Sequence, residues 1–474
     1  MKKLIIGLLF FSFSLFIIST AYNAQLSFHL LLPSFLIILV ASLPLLINNE
    51  TNLFSPLPYL VYWIFLTVFM RMIYIVYDYP DKSFIQTIFL QYNEKLYLVK
   101  PLIIILISMI SFIFGYFIKP SDRKIITTIT YQYWNKTKIY TSGILLSVVS
   151  FFALSKFVSQ NIGGILFLAA SNISSYRGVS ENIVDYSASG LLRILVMLAE
   201  IGFIILFSYN ISAPKKDKLI YVLAFFNFLI AFFFYFFTQS RAGLLFLIIK
   251  PFVLNYLLKG QKLKIGKTVI TLLASIVLFS FITSFRTGVG LESASFSIKG
   301  IQRVFDPLIA NNGGFDVSKT GLIIDYIDNN EQKQIGKSFL WIITSFIPRS
   351  IWPDKPVNID TYFGMKVYGA TTYGTGAVPP GVFAELYWNF GYLGIFFGCF
   401  AFGVVLRWLS NRFLIYGSKN INSLIIYVVC FMPLGVSIFG SSISSAIIGI
   451  IYKLFPLAII LWYITEQKKI DYIQ

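Results

Sequence analysis

Apolar residues along this chain fall in blocks of close to twenty, separated by polar connections. A hydrocarbon core of about 30 Å is crossed by roughly 20 apolar residues in a helix. The pattern therefore predicts about twelve spans, near 4–22, 28–47, 57–76, 101–118, 140–158, 189–209, 219–237, 242–258, 268–285, 384–406, 421–437 and 442–464. The connections 237–242 and 437–442 are short enough for tight hairpins. The block 161–170, "NIGGILFLAA", is too short to cross and reads as re-entrant or as an extension of the fifth helix. The basic start "MKKLIIGLLFFSFSLFIIST" is followed by enough apolar chain to span, so it reads as a first helix rather than a cleaved leader.

One connection breaks the pattern. Residues 287–383 are polar over nearly a hundred positions, which in a compact chain points to function. Short helices are expected there near 316–329 and 337–346. The chain thus divides into a bundle of about nine helices (1–286), a large external loop (287–383) and C-terminal helices with a tail (384–474). The glycine-rich run "YGATTYGTGAVPPG" (368–381) lacks the G-K-[ST] of a phosphate-binding loop, so nucleotide use is not indicated.

Charge sets the orientation. With the N-terminus inside, the inner segments 119–138, 213–218, 259–267, 407–419 and 466–469, with Lys2 and Lys3, carry nineteen lysines and arginines. The short outer loops carry five: Lys82, Lys95, Lys100, Arg177 and Arg241. This positive-inside bias predicts cytoplasmic termini and a long loop on the outer face. It also accounts for the formal net charge of +18 without nucleic acid, for which no basic-aromatic groove exists.

Composition agrees: of 474 residues, 57% are hydrophobic and 12% charged, half the usual charged share. The class is an all-α, multi-pass integral membrane protein. Cys399 and Cys430 sit in apolar runs and read as small buried hydrophobes. A single histidine, His29, excludes a His-rich metal site, and no D-x-D pair marks a divalent cation.

Four arginines stand apart from the inner loops. Arg177 lies in "SSYRGVSEN", Arg241 in "FTQSRAGLL", Arg286 in "SFRTGVG" and Arg349 in "FIPRSIWPDKP". All are expected on the outer side, against the topology rule. One reading is a shared anion site, since guanidinium forks match phosphate oxygens. The other is snorkelling to lipid phosphates or local carboxylate pairs. In the last stretch, Pro348, Pro353 and Pro356 cannot continue a helix, and Trp352 suits a membrane interface. That places Arg349 and Lys355 at headgroup depth, with Asp354 available to orient them. Arg71 reads as a buried pair with Asp78 or another helix, or as a substrate contact. Glu200, Arg193 and Lys453 read as structural, pairing or snorkelling groups.

"IPRSIWPDKP", the glycine-rich run and "VFAELYWNFGYLGI" resemble the oligosaccharide repeat-unit polymerases of the Wzy type, which make O-antigen and capsule. "TQSRAGLL" and "SYRG" are similar to patterns of the same family, so the resemblance covers about 163–394. It implies a GT-C-like fold and a glycosyltransferase needing no metal or cofactor. It implies transfer of a chain on undecaprenyl diphosphate to a new lipid-linked unit at the outer face of a bacterial inner membrane, in lipopolysaccharide or capsule biosynthesis. Within it, Arg177, Arg241, Arg286, Arg349 and Lys355, with Tyr176 and Trp352, are expected to bind diphosphate or glycan. Arg286 and Arg349 are also expected to stabilise the leaving group. Glu385 is the first candidate base, ahead of Asp316, Asp325, Asp354 and His29. Its other reading is a salt bridge or helix-start residue. A chain-length regulator and a flippase are implied partners. An O-antigen ligase, transferring glycan to lipid A-core, and a flippase or transporter are the competing functions. A transporter would show repeated halves with polar midplane breaks, whereas here the polar residues gather in one loop.

Overall fold

The computed structural model describes residues 2–47, 54–77, 95–118, 131–161, 183–213, 216–238, 240–259, 317–347, 351–368, 378–416, 420–434 and 439–468. The expected span 268–285 and residues 162–170 of the short apolar block lie outside them. The helices are α1 (Lys2–Tyr22), α2 (Ala24–Ile47), α3 (Pro56–Val76), α4 (Val99–Phe117), α5 (Lys136–Asn161), α6 (Ile183–Ser212), α7 (Lys218–Phe237), α8 (Arg241–Lys259), α9 (Val317–Asn330), α10 (Leu340–Thr344), α11 (Ile359–Tyr368), α12 (Gly381–Ser410), α13 (Ile421–Phe431) and α14 (Ile443–Ile464). Among the described residues, ten helices are long and apolar enough to cross a membrane. α13 is an apolar helix of shorter length.

Apolar residues face outward as well as inward, as lipid solvation allows. Phe10, Phe152, Phe455 and Trp462 are 72%, 67%, 69% and 81% exposed. With no hydrophobic drive between helices inside lipid, close packing takes over, and small residues mark the contacts. Gly115 of α4 and Gly403 of α12 leave no room for a Cβ against each other's helix backbone, and Ser111 bonds the Phe396 carbonyl across the same seam. Two cores result. One joins α1–α4 with α9, α11 and most of α12; the other joins α5–α8 with α13 and α14.

The segments assigned inside by charge meet on one face. The strands β1 (Tyr131–Trp134) and β2 (Thr465–Lys468) pair antiparallel. Trp134 Nε1 donates to Asn422 at 2.8 Å, and Lys136 pairs with Asp217 at 2.8 Å. Asp217 also caps α7, accepting from Leu219 N–H, and its pKa is held down at about 2, first by the Lys136 bond and next by Tyr140. On the opposite face the first turn of α4 meets the long loop: Lys100 pairs with Asp328.

Two short helices of that loop appear where expected, as α9 and as a single 3-10 turn, Lys337–Phe339, leading into α10. The tenth span does not begin as expected. The helix near 384–406 starts at Gly381 and breaks at Gly391, whose φ is +63. Leu386 packs its side chain 2.6 Å from where a Cβ on Gly398 would stand. Residues twelve apart in a continuous helix are about 18 Å apart. Residues 381–390 are therefore a separate arm that folds back along 392–410. The arm's last carbonyls, which a helix leaves unbonded, are taken by the loop: Gln334 N–H donates to Trp388 O and Ile335 N–H to Asn389 O, both at 3.0 Å.

Candidate functional site

The arm 381–390 carries Glu385 to the first turn of α14. Ser442 caps that helix, its hydroxyl accepting from Ser445 N–H, as a serine before an apolar run does. Glu385 is fully buried. Its Oε1 accepts from Ser444 Oγ at 2.9 Å and from Ser338 Oγ at 3.0 Å. Its Oε2 accepts from the backbone N–H of Ile443. A carboxylate at a helix N-terminus is favoured by the unpaired amides and the helix dipole. Asn389, one turn along the arm, donates to Ser338 Oγ at 2.7 Å and accepts from Gly336 N–H at 2.9 Å. The network locks together the arm, the turn before α10 and the start of α14.

Asp360 of α11 reaches the same serines, accepting from Ser445 Oγ at 3.0 Å. Burial pushes its carboxyl above the usual range, against the bonds from Ser442 and Ser445 that lower it. Tyr362 and Phe363 of α11 pack on Trp388 at 5.2 and 4.9 Å. Further out, Lys333 lies 3.8 Å above the Tyr387 ring, whose hydroxyl donates to Asp328 at 2.7 Å.

The stretch 346–356 hangs from this scaffold. α10 lies along α14 and delivers Phe346 against Tyr452, ring centroids 5.5 Å apart. Lys355, only 8% exposed, turns back into the loop. Its ammonium donates to Ile347 O at 2.7 Å and to Thr344 O at 3.4 Å, and sits 5.0 Å from the Trp341 ring centre. Lys355 thus fastens the end of α10 to the chain beyond the proline bend. Trp352 is 40% exposed, and Asp354 is exposed beside it.

Arg349, Arg286, Arg177 and Tyr176 lie outside the described residues. The backbone of Arg241 opens α8, just after Ser240, whose hydroxyl accepts from Gly243 N–H at 3.2 Å. Gly243 sits where a Cβ would collide with the Tyr235 ring, so the "SRAG" turn is tight because only glycine fits. The Arg241 side chain lies outside the described residues. Asp316 does too, as does Asp78, the suggested partner of Arg71. Arg71 is buried in α3. His29 is exposed near the start of α2.

The buried charges of the second core are bound to one another. Glu200 of α6 accepts from Lys250 of α8 and from Tyr235 of α7, with Lys453 of α14 at 3.9 Å. Lys250 and Tyr235 were invisible to sequence reading as partners, because one carboxylate on α6 gathers them and Lys453 from three other helices. Ser338, Ser444 and Asp360 were also missed; the serine run "SSISSA" at 441–446 was the available signal, as a helix start able to receive a carboxylate. Among the described residues no three His, Cys, Asp or Glu side chains gather as metal donors. Cys399 and Cys430 are buried and free.

No curated protein and no solved structure matches the chain. A family model for the O-antigen polysaccharide polymerase Wzy matches residues 4–469, nearly the whole chain, and the protein belongs to that family.

Proposed function

We propose that this polymerase moves a growing glycan from its lipid diphosphate carrier to the non-reducing end of a new lipid-linked repeat unit, at the outer face of the inner membrane. In that step the acceptor hydroxyl oxygen bonds the anomeric carbon. The bond from that carbon to the diphosphate oxygen breaks, and the diphosphate keeps the electron pair. The hydroxyl proton passes to a base or to water. Negative charge grows on the leaving diphosphate, and cations fixed beforehand stabilise it. Arg349 is the first of these in our reading, with Arg286, Arg241 and Arg177.

The observation supporting this reading is the Lys355 clamp. A buried ammonium bonded to the Ile347 and Thr344 carbonyls fastens the chain on both sides of the three residues that include Arg349. Preorganised charge is what such a transition state rewards. Lys355 therefore acts in our reading as a positioning residue, with its charge spent on loop carbonyls. Glu385 has the same kind of role. A general base must reach the proton it removes, and both Glu385 oxygens are already engaged by Ser338, Ser444 and Ile443.

Arg349→Ala, with Arg286→Ala and Arg241→Ala as companions, tests the assignment in cells. Loss of one preorganised donor lowers turnover by about 10²–10³. The expected surface glycan is a single repeat unit in place of a ladder, with the protein still inserted. A normal ladder in the triple variant refutes the diphosphate site. Loss of all surface glycan instead favours ligase, and internal accumulation of repeat units favours a flippase.

A further inference from the structure

The long loop is polar by composition, yet one part of it exposes a patch of large apolar side chains. Leu340, Ile343 and Phe346 are 57%, 70% and 47% exposed, and Ile351 and Trp352 follow at 75% and 40%. The first three stand at i, i+3 and i+6, on one face of a helical segment. The positions between them, Trp341, Ile342, Thr344 and Ser345, are half-buried. Just before this face the exposed residues are Gln332, Lys333, Ile335 and Lys337. From Leu340 through Phe346, one turn after Lys337, every exposed residue is apolar.

The depth of that switch follows from α14. Ser338 O accepts from Ser444 Oγ at 3.3 Å, beside the first turn of α14, and Phe346 packs on Tyr452. Eight residues of α14 separate these contacts, which is about 12 Å of helix. The segment 338–346 therefore runs parallel to the upper half of a membrane-crossing helix and descends with it, and half a hydrocarbon core is about 15 Å. Below Tyr452 the same side of α14 continues through Phe455, Ile459 and Trp462, 69%, 49% and 81% exposed. These lie at i+3, i+7 and i+10 from Tyr452, one helical stripe, on the surface that faces lipid.

We propose that residues 340–347, with Ile351 and Trp352, form a wedge sunk among the acyl chains of the leaflet on this face, the outer one by the charge rule. The partner is the hydrocarbon of the bilayer itself. Three observations select it: the apolar face is continuous with the lipid-facing stripe of α14, it begins where exposed lysines end, and it lies alongside a helix already inside the membrane. The long loop is thereby partly embedded. The backbone leading into the proline bend is held within the leaflet from which a lipid-linked substrate must come.

The test is labelling of single cysteines in the full chain in lipid nanodiscs, with the buried Cys399 and Cys430 giving low background. I343C and F346C should react with a membrane-impermeant maleimide about tenfold or more slower than K333C and K337C, because a thiolate does not form in hydrocarbon. A bimane placed at Ile343 by a permeant reagent should be quenched by lipids brominated on their acyl chains, and one at Lys333 should not. Labelling of K333C and K337C shows that the loop is folded and reachable. Equal labelling at Ile343 and Lys333 overturns the wedge. Protection at Ile343 without quenching by brominated lipid also overturns it, since protein and not lipid would then cover the face.

Discussion

Replacing Glu385 separates chemistry from scaffold. The side chain is fully buried and bonded by Ser338, Ser444 and the Ile443 amide. Truncation by Glu385→Ala leaves the Ser338 hydroxyl and the Ile443 helix-start amide without their carboxylate acceptor in a buried site, while Ser444 Oγ keeps the Ser338 carbonyl at 3.3 Å. Bonds to a charged group contribute about 1.5–3 kcal/mol each. Desolvation of the carboxylate offsets part of that sum, so the net loss is about 3–5 kcal/mol, the range seen when one partner of a buried charged network is removed. Glu385→Gln keeps an oxygen for the two serines but turns a donor toward the Ile443 N–H. It should lose about 1–3 kcal/mol, the cost of an unsatisfied buried group. Thermal unfolding of the protein in nanodiscs ranks the variants, and a double-mutant cycle with Ser444→Ala should return a coupling of about 1–3 kcal/mol. Polymer formation is then measured below the unfolding range of each variant. If Glu385 only positions, Glu385→Gln still makes long chains there. A Gln variant as stable as wild type that makes no polymer refutes this reasoning and restores Glu385 as the base.

Other outcomes follow from the same contacts. Glu200→Ala leaves Lys250 buried and uncompensated beside Lys453, so it should destabilise by about 3–5 kcal/mol, and the Glu200→Gln/Lys250→Met double variant should be more stable than Glu200→Ala in thermal unfolding. Lys355→Met removes a bond to a carbonyl at 2.7 Å and a ring contact, worth about 2–3 kcal/mol. Hydrogen exchange at Phe346 and Ile347 should quicken by about 30-fold or more, with α14 amides unchanged. The Asp217 carboxyl titrates near 2 in the folded chain against an ordinary 3.8. Because the folded value is depressed, its contribution is complete above about pH 4 and is lost as the pH falls toward 2. Asp217→Asn should therefore flatten the loss of thermal stability over that window.

Much of the fold was written in apolar blocks. Nine of the expected spans correspond to helices within a few residues, since span length follows from bilayer thickness and needs no partner. The charge pattern also grouped segments that the structure brings together: β1 pairs with β2, and Lys136 with Asp217. The fold-back at Gly391 was not legible, because "YWNFGYLGI" is as apolar as a continuous helix, and only a left-handed glycine with loop residues capping the Trp388 and Asn389 carbonyls breaks it. The surroundings of the candidate site residues were less legible than the spans. Sequence shows the charge of Lys355 and not the Ile347 and Thr344 carbonyls it reaches. Likewise, nothing local to Glu385 announces the serines at 338 and 444 that bond it.

Reconstitution gives the most direct answer. The purified protein in liposomes is supplied with one polyprenyl-diphosphate-linked repeat unit, with a chelator present and no nucleotide. The reading above predicts a ladder of products on lipid diphosphate, one carrier diphosphate released per unit joined, and no ladder from Arg349→Ala. A ladder that requires added nucleotide or divalent metal, or release of carrier without any product longer than one unit, would contradict it.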